Sequence, residues 1–164
     1  MVFSTVLKAK MDKHVGMGQI VLASGPTHLT AVLGSCIAVT MHAPKHETGV
    51  LAHVILAQSS GRNSPPGKFA DTAVPEMIRM MEAAGAARDD IVARLAGGAN
   101  IFGRPGPLQI GNANIEAITQ ILKQAGIPIK AEDIGGTKGR RVSFDCQTGS
   151  LTIEMAGSPA RVLR

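Results

Sequence analysis

Residues 36–56 read Cys36-Ile37-Ala38-Val39-Thr40-Met41-His42-Ala43-Pro44-Lys45-His46-Glu47-Thr48-Gly49-Val50-Leu51-Ala52-His53-Val54-Ile55-Leu56. Two apolar runs, Cys36–Met41 and Val50–Leu56, flank a polar stretch that holds Pro44. That is the pattern of two strands joined by a turn. If the strands pair across the turn, paired residue numbers sum to about 89 to 91. A sum of about 89 sets Cys36 opposite His53. A sum of about 91 sets His53 opposite Ala38, diagonal to Cys36 and on the same face. An even sum sends the two side chains to opposite faces, because side chains alternate along a strand.

Outward from this hairpin the chain continues in short segments. Gln19–Ala23 reads as a strand and Gly25-Pro26 as a turn. Leu29–Leu33 is a short apolar run that Gly34-Ser35 interrupts. Downstream, residues 58–68 form a Ser/Gly/Pro-rich loop with the composition of a flap. Asp71 is placed to cap a helix in which Val74, Met77, Ile78, Met81 and Ala84 recur at three- and four-residue steps, and Gly85 stops it. Ile91–Ala96 is a strand ending in Gly97-Gly98, and a loop with Gly103, Pro105, Gly106 and Pro107 follows. A second helix is predicted from about Asn112 to Ala125, with Ile115, Ile118, Ile121 and Leu122 on one face. Pro128–Ile134, Val142–Asp145 and Leu151–Met155 are the last strands. Many strands with two helices, without regular alternation, indicate an α+β sandwich with the helices covering one side of largely antiparallel sheet. The organisation expected is a loose N-terminal arm (1–18), one catalytic domain (19–156) and a C-terminal tail (157–164).

Composition narrows the function. A chain of 164 residues suits one domain that folds without disulfides or metals. The net charge of +5 favours acidic partners. Nucleic acid is not expected, because single-strand binders stack bases on aromatic rings and this chain has four Phe, no Tyr and no Trp. The basic cluster Lys138, Arg140 and Arg141 reads as a solvated loop. No stretch is long and apolar enough for a signal-peptide core or a membrane span, so a cytoplasmic protein with two reduced cysteines is expected. Neither cysteine has the paired spacing of a zinc site.

Reduced cysteines are more often small core residues than nucleophiles. Cys146 is assigned to the core on that ground. Cys36 differs: Gly34-Ser35 precede it, so the backbone can bend and present N–H groups to an oxyanion. His53 is a titratable residue inside an apolar strand, and either odd register brings it to the face of Cys36. An imidazole beside a thiol takes its proton and later returns it to a leaving group. A third group usually orients the ring; Thr30, six residues before Cys36, is the local candidate. His42 and His46 lie at the turn, His42 some ~20 Å along the strand from Cys36. His14 sits in the arm, and spacing alone does not exclude His28.

The segments Leu33-Gly34-Ser35-Cys36-Ile37-Ala38-Val39, Ala52-His53-Val54-Ile55-Leu56 and Lys68-Phe69-Ala70-Asp71-Thr72-Ala73 resemble the CheD family, chemoreceptor glutamine deamidases of bacterial chemotaxis. The likeness continues in order through Gly97-Gly98-Ala99, Ile110-Gly111-Asn112-Ala113-Asn114 and Ala131-Glu132-Asp133-Ile134-Gly135-Gly136. Val32 stands where family members often carry glycine, and Ala57 where many carry proline. The resemblance implies a layered α/β/β sandwich and a Cys–His–Thr triad, which by position falls on Cys36, His53 and Thr30. It implies hydrolysis of glutamines on chemoreceptor helices through a cysteine thioester, with no metal or organic cofactor. It also implies, for some members, a CheC-type phosphatase as partner. The same thioester path admits glutamate methyl esters. The rival readings are a non-catalytic binding regulator of such a phosphatase and a cysteine amidase for small molecules.

Overall fold

Both runs that flank the 42–49 turn form strands whose every residue is buried, because one face of their sheet meets two helices and the other meets a second sheet. The computed structural model describes residues 10–103 and 110–164. In chain order these contain β1 (Met11–His14), β2 (Ile20–Ser24), β3 (Thr27–Leu33), β4 (Ile37–Ala43), β5 (Thr48–Val54), α1 (Ala70–Ala83), β6 (Val92–Gly97), α2 (Ile110–Ala125), β7 (Ile129–Ile134), β8 (Arg140–Asp145), β9 (Leu151–Glu154) and β10 (Arg161–Leu163). The strands form two five-stranded sheets, ordered β1-β3-β8-β9-β10 and β2-β5-β4-β6-β7. Pairing is antiparallel except for β1 with β3 and β6 with β7. The architecture is the expected α+β sandwich with layers α/β/β.

Alternation along β4 and β5 divides the core. Ile37, Val39, Met41, Val50, Ala52 and Val54 meet Met77 and Met81 of α1 and Ile118 and Leu122 of α2. Ala38 and Leu51 face the other way, toward Leu29, Ala31, Leu33, Val142 and Phe144 of the second sheet. Burial of this kind stabilises by about 25 cal/mol per Å² of apolar surface. The chain therefore builds its core from aliphatic side chains, with Phe69 and Phe144 the large aromatic ones fully buried.

Four local expectations differ from the structure. The segment expected as a loose arm contains β1, which pairs with β3, and Val15 behind it is fully buried. The expected tail contains β10, which pairs with β9. Asp71 is not the helix cap: Phe69 holds that position without a side-chain cap bond. The Asp71 carboxylate instead accepts from Ser59 N (3.0 Å) and Ser59 Oγ (2.9 Å), tying the 58–68 loop to α1. Arg140 is not a solvated loop residue: its guanidinium is buried and ion-paired with Asp133 (2.6 Å) across the two sheets. The segment Met1–Lys8 and the prolines of the 103–107 loop lie outside the described residues.

Candidate active site

The hairpin adopts an odd register. Ala38 pairs with His53 and Ile37 with Val54. Partners in a ladder share a face, so His53 points with Ala38 and Leu51 toward the second sheet. Cys36 lies one residue before β4 and two before Ala38, and it packs against the same inter-sheet cluster. Cys36 and His53 are thus diagonal neighbours on one face, the arrangement in which long or aromatic side chains still meet. No hydrogen bond joins them in this structure, and the buried Nε2 of His53 has no partner. Catalytic hydrogen bonds often close only when substrate binds.

The ring of His53 is held from its other side. Nδ1 lies 3.1 Å from the carbonyl oxygen of Val15. A carbonyl only accepts, so Nδ1 carries the proton and Nε2 keeps its lone pair. Val15 belongs to the crossing segment between β1 and β2. Its N–H donates to Thr30 O (2.8 Å), while Gly18 N–H donates to His53 O (2.8 Å) and His53 N–H to Gln19 O (3.0 Å). This segment therefore clasps the histidine through main-chain bonds alone. Burial lowers the His53 pKa below the usual imidazole value, opposed by the Val15 bond and aided by His14. A lowered pKa favours the neutral ring, the form in which Nε2 is able to accept a proton. Cys36 is half-buried, and burial raises its pKa, with its own backbone N–H opposing. Such a thiol needs a neighbouring base to become a thiolate.

The loop before β4 is fixed through three successive carbonyls. Ala99 N–H donates to Gly34 O (3.0 Å), Asn114 Nδ2 to Ser35 O (3.2 Å), and Gly98 N–H to Cys36 O (2.9 Å). A Cβ on Gly97 would overlap the Cys36 carbonyl, and Gly97 has φ 109°. The close approach beside Cys36 is thus made by Gly97, whereas Gly34 has no left-handed φ and room for an ordinary contact with Ile101.

Thr30 stands on β3 between Leu29 and Ala31, which face the inter-sheet core. Alternation turns its side chain to the outer face with His28 and exposed Val32. Its ladder partners there are His14 and Ser143. Thr30 meets the His53 clasp through its carbonyl, by way of Val15. His28 lies on that outer face against Ser143 Oγ (3.3 Å) and Asp145 (3.6 Å). His42 is buried at the turn end with Nε2 3.1 Å from Cys146 O. Cys146 is fully buried, as assigned, and burial pushes its thiol up to about 12. Val15, Gly97 and Asn114 carry parts of this site that the sequence reading did not single out. Asn114 had a signal, being a polar residue on the buried stripe of α2; a main-chain carbonyl such as that of Val15 has none.

Among the described residues no three His, Cys, Asp or Glu side chains are grouped to hold a metal ion, and no helix is long and apolar enough to cross a membrane.

The family model described as CheD chemotactic sensory transduction matches residues 55–155. A curated relative, the chemoreceptor glutamine deamidase CheD of Thermotoga maritima, is 39% identical over 148 residues, covering 90% of this chain and 94% of that protein. The probable chemoreceptor glutamine deamidase CheD of Archaeoglobus fulgidus is 42% identical over 142 residues, covering 85% and 90%. The protein of the same description from Desulforamulus reducens is 37% identical over 162 residues, covering 95% and 98%.

Proposed function

The chain belongs to the CheD family, and from that premise we propose that it deamidates glutamine side chains of chemoreceptors in the cytoplasm, with Cys36 as nucleophile and His53 as base. The observation that carries this reading is the shared face of Cys36 and His53, with His53 Nε2 buried and unpartnered.

In the proposed reaction His53 Nε2 takes the thiol proton of Cys36. The thiolate attacks the carboxamide carbon of the substrate, forming the S–C bond as the carbonyl π pair moves to oxygen. Main-chain N–H groups around Gly34, Ser35 and Cys36 stabilise that oxyanion. The imidazolium returns its proton to the amide nitrogen, the C–N bond breaks, ammonia leaves and a thioester remains. His53 then deprotonates water, hydroxide attacks the thioester, and the sulfur leaves as the thiol after recovering the proton. Glutamate is the product. Val15 O holds Nδ1–H throughout, stabilising the imidazolium, and Thr30 contributes by fixing Val15. Partners beyond the receptor, a CheC-type phosphatase among them, are a further part of the family reading.

Mass spectrometry of a receptor cytoplasmic fragment tests it. Wild-type protein should convert glutamine to glutamate, and Cys36→Ala and His53→Ala should not while still binding the fragment. Binding without conversion by the wild type would replace the enzyme with a binding regulator. Activity on free glutamine alone would replace the protein substrate with a small molecule.

A further inference from the structure

Helix α2 buries Asn114, Ile118 and Leu122 at successive four-residue steps, all fully inaccessible. Two of the three are aliphatic; the first is an amide. A buried amide is unfavourable unless its hydrogen bonds are made, and a leucine there would extend the apolar stripe. What Asn114 touches explains its presence. Its Nδ2 donates to Ile55 O (2.8 Å) and to Ser35 O (3.2 Å). Ile55 lies two residues beyond His53, and Ser35 one residue before Cys36. Both amide protons are used, one on the segment just before β4 and one on the residue just after β5. Oδ1 is buried without a partner. The amide cannot be flipped, because the reverse orientation sets Oδ1 against two carbonyl oxygens.

The location matters because the ladder of β4 and β5 ends at Ile37 and Val54. Cys36 lies outside that ladder, so no rung fixes its loop relative to the end of the histidine strand. The Asn114 side chain supplies the missing cross-link. The first turn of α2 is itself pressed onto this place: a Cβ on Gly111 would overlap Gly98 O, and Gly98 N–H holds Cys36 O. We propose that Asn114 is a positioning residue for the deamidation, setting the Cys36 loop against the His53 strand so that thiol and imidazole meet. This rests on the Cys36–His53 reading above. Asn114 touches neither reacting atom; it acts through the two carbonyls.

The test is the pH profile of Cys36 alkylation by iodoacetamide, followed by peptide-resolved mass spectrometry on the full chain, with deamidation kinetics and a thermal melt beside it. Wild type should show an enhanced rate near neutral pH that His53→Ala loses. Asn114→Leu should move the profile to that of His53→Ala and lower kcat by about 10²-fold, with KM changed far less, as expected when reacting groups shift by about 1 Å. Asn114→Ala, which leaves space for water on both carbonyls, should do the same. A folded variant that keeps the wild-type profile and kcat overturns the proposal and leaves the Cys36–His53 reading standing. Coincident profiles for wild type and His53→Ala overturn that reading, and this inference with it. Loss of the fold in both Asn114 variants also overturns the inference, since the side chain would then hold the core and not the site.

Discussion

The Val15 carbonyl and the His53 ring are joined at 3.1 Å, and the Val15 N–H is joined in turn to Thr30 O at 2.8 Å. The ring is oriented by a main-chain carbonyl, which every residue supplies, and that carbonyl is fixed by an N–H that every residue but proline supplies. Val15→Ala should therefore keep activity per folded molecule while costing about 1–3 kcal/mol of stability for the emptied space. Val15→Pro removes the N–H that fixes the segment and should lower kcat by about 10–10²-fold. Thr30→Val keeps the Thr30 carbonyl and should retain most activity. A tenfold or greater loss in Thr30→Val would assign the role to the hydroxyl instead. Deamidation rates of the three variants, each beside a urea melt, decide it.

Stability should fall as pH falls through about 6.5. Burial lowers the pKa of both His53 and His42 below that value in the folded state. In that window the unfolded chain binds protons that the folded chain does not, so stability rises with pH, and the loss deepens on acidification until the folded-state pKa values are reached. Each unit of depression corresponds to about 1.4 kcal/mol. Urea unfolding at pH 8 and pH 5.5 measures the slope. Replacing His42 by Asn should flatten part of it; an unchanged slope would show that the His42 ring is not responsible.

The acid limb of activity should lie below the usual imidazole pKa for the same reason. His53 remains neutral, with Nε2 available, to lower pH than a solvated histidine. The kcat/KM profile is expected to rise through an inflection below 6.5. An inflection above that value would mean that the ring is stabilised as imidazolium in the free enzyme.

Much of this arrangement was legible before the structure, and for identifiable reasons. The hairpin was legible because both apolar runs are long and the turn between them carries Pro44. Either odd register aligned Cys36 with His53, so the exact pairing did not need to be known. The helices showed in the spacing of Met77, Ile78 and Met81 and of Ile118 and Leu122. What escaped lacked such signals. All four residues of β1 are exposed, so no alternation marks it. The strand β10 is three residues long at the sheet edge. Arg140 looks like its neighbours Lys138 and Arg141 in sequence, and only the fold brings Asp133 to it.

Asp133 and Arg140 form a buried ion pair that ties β7 of one sheet to β8 of the other. The guanidinium also donates to the Asp133, Gly135 and Lys138 carbonyls. Breaking such a pair from one side strands a buried charge, which typically costs about 3–5 kcal/mol. Asp133→Ala should lose stability on that scale in urea unfolding. Arg161 reaches the second oxygen of Asp133 at 2.7 Å, but its side chain is 58% exposed. Arg161→Ala should therefore cost under about 1 kcal/mol. Equal losses in the two variants would contradict the burial argument.

Gly97 is the position where fold and site are most tightly bound to one residue type. Its φ of 109° is one that side-chain-bearing residues rarely adopt. A Cβ there would overlap the Cys36 carbonyl, with Leu33 Cδ1 3.2 Å away. The same carbonyl receives Gly98 N–H at 2.9 Å. Gly97→Ala must therefore displace the backbone of Cys36, break that bond, or both. The strained φ alone is expected to cost about 1–3 kcal/mol. Because the displaced atom belongs to Cys36, activity per folded molecule should fall as well, by about 10²-fold for a shift near 1 Å. Gly25→Ala is the matched control. Its φ is also left-handed, at 65°, yet nothing lies within 4 Å of the added Cβ. It should lose stability without losing activity per folded molecule. If Gly97→Ala behaves like Gly25→Ala, the contact with Cys36 does not govern the reaction.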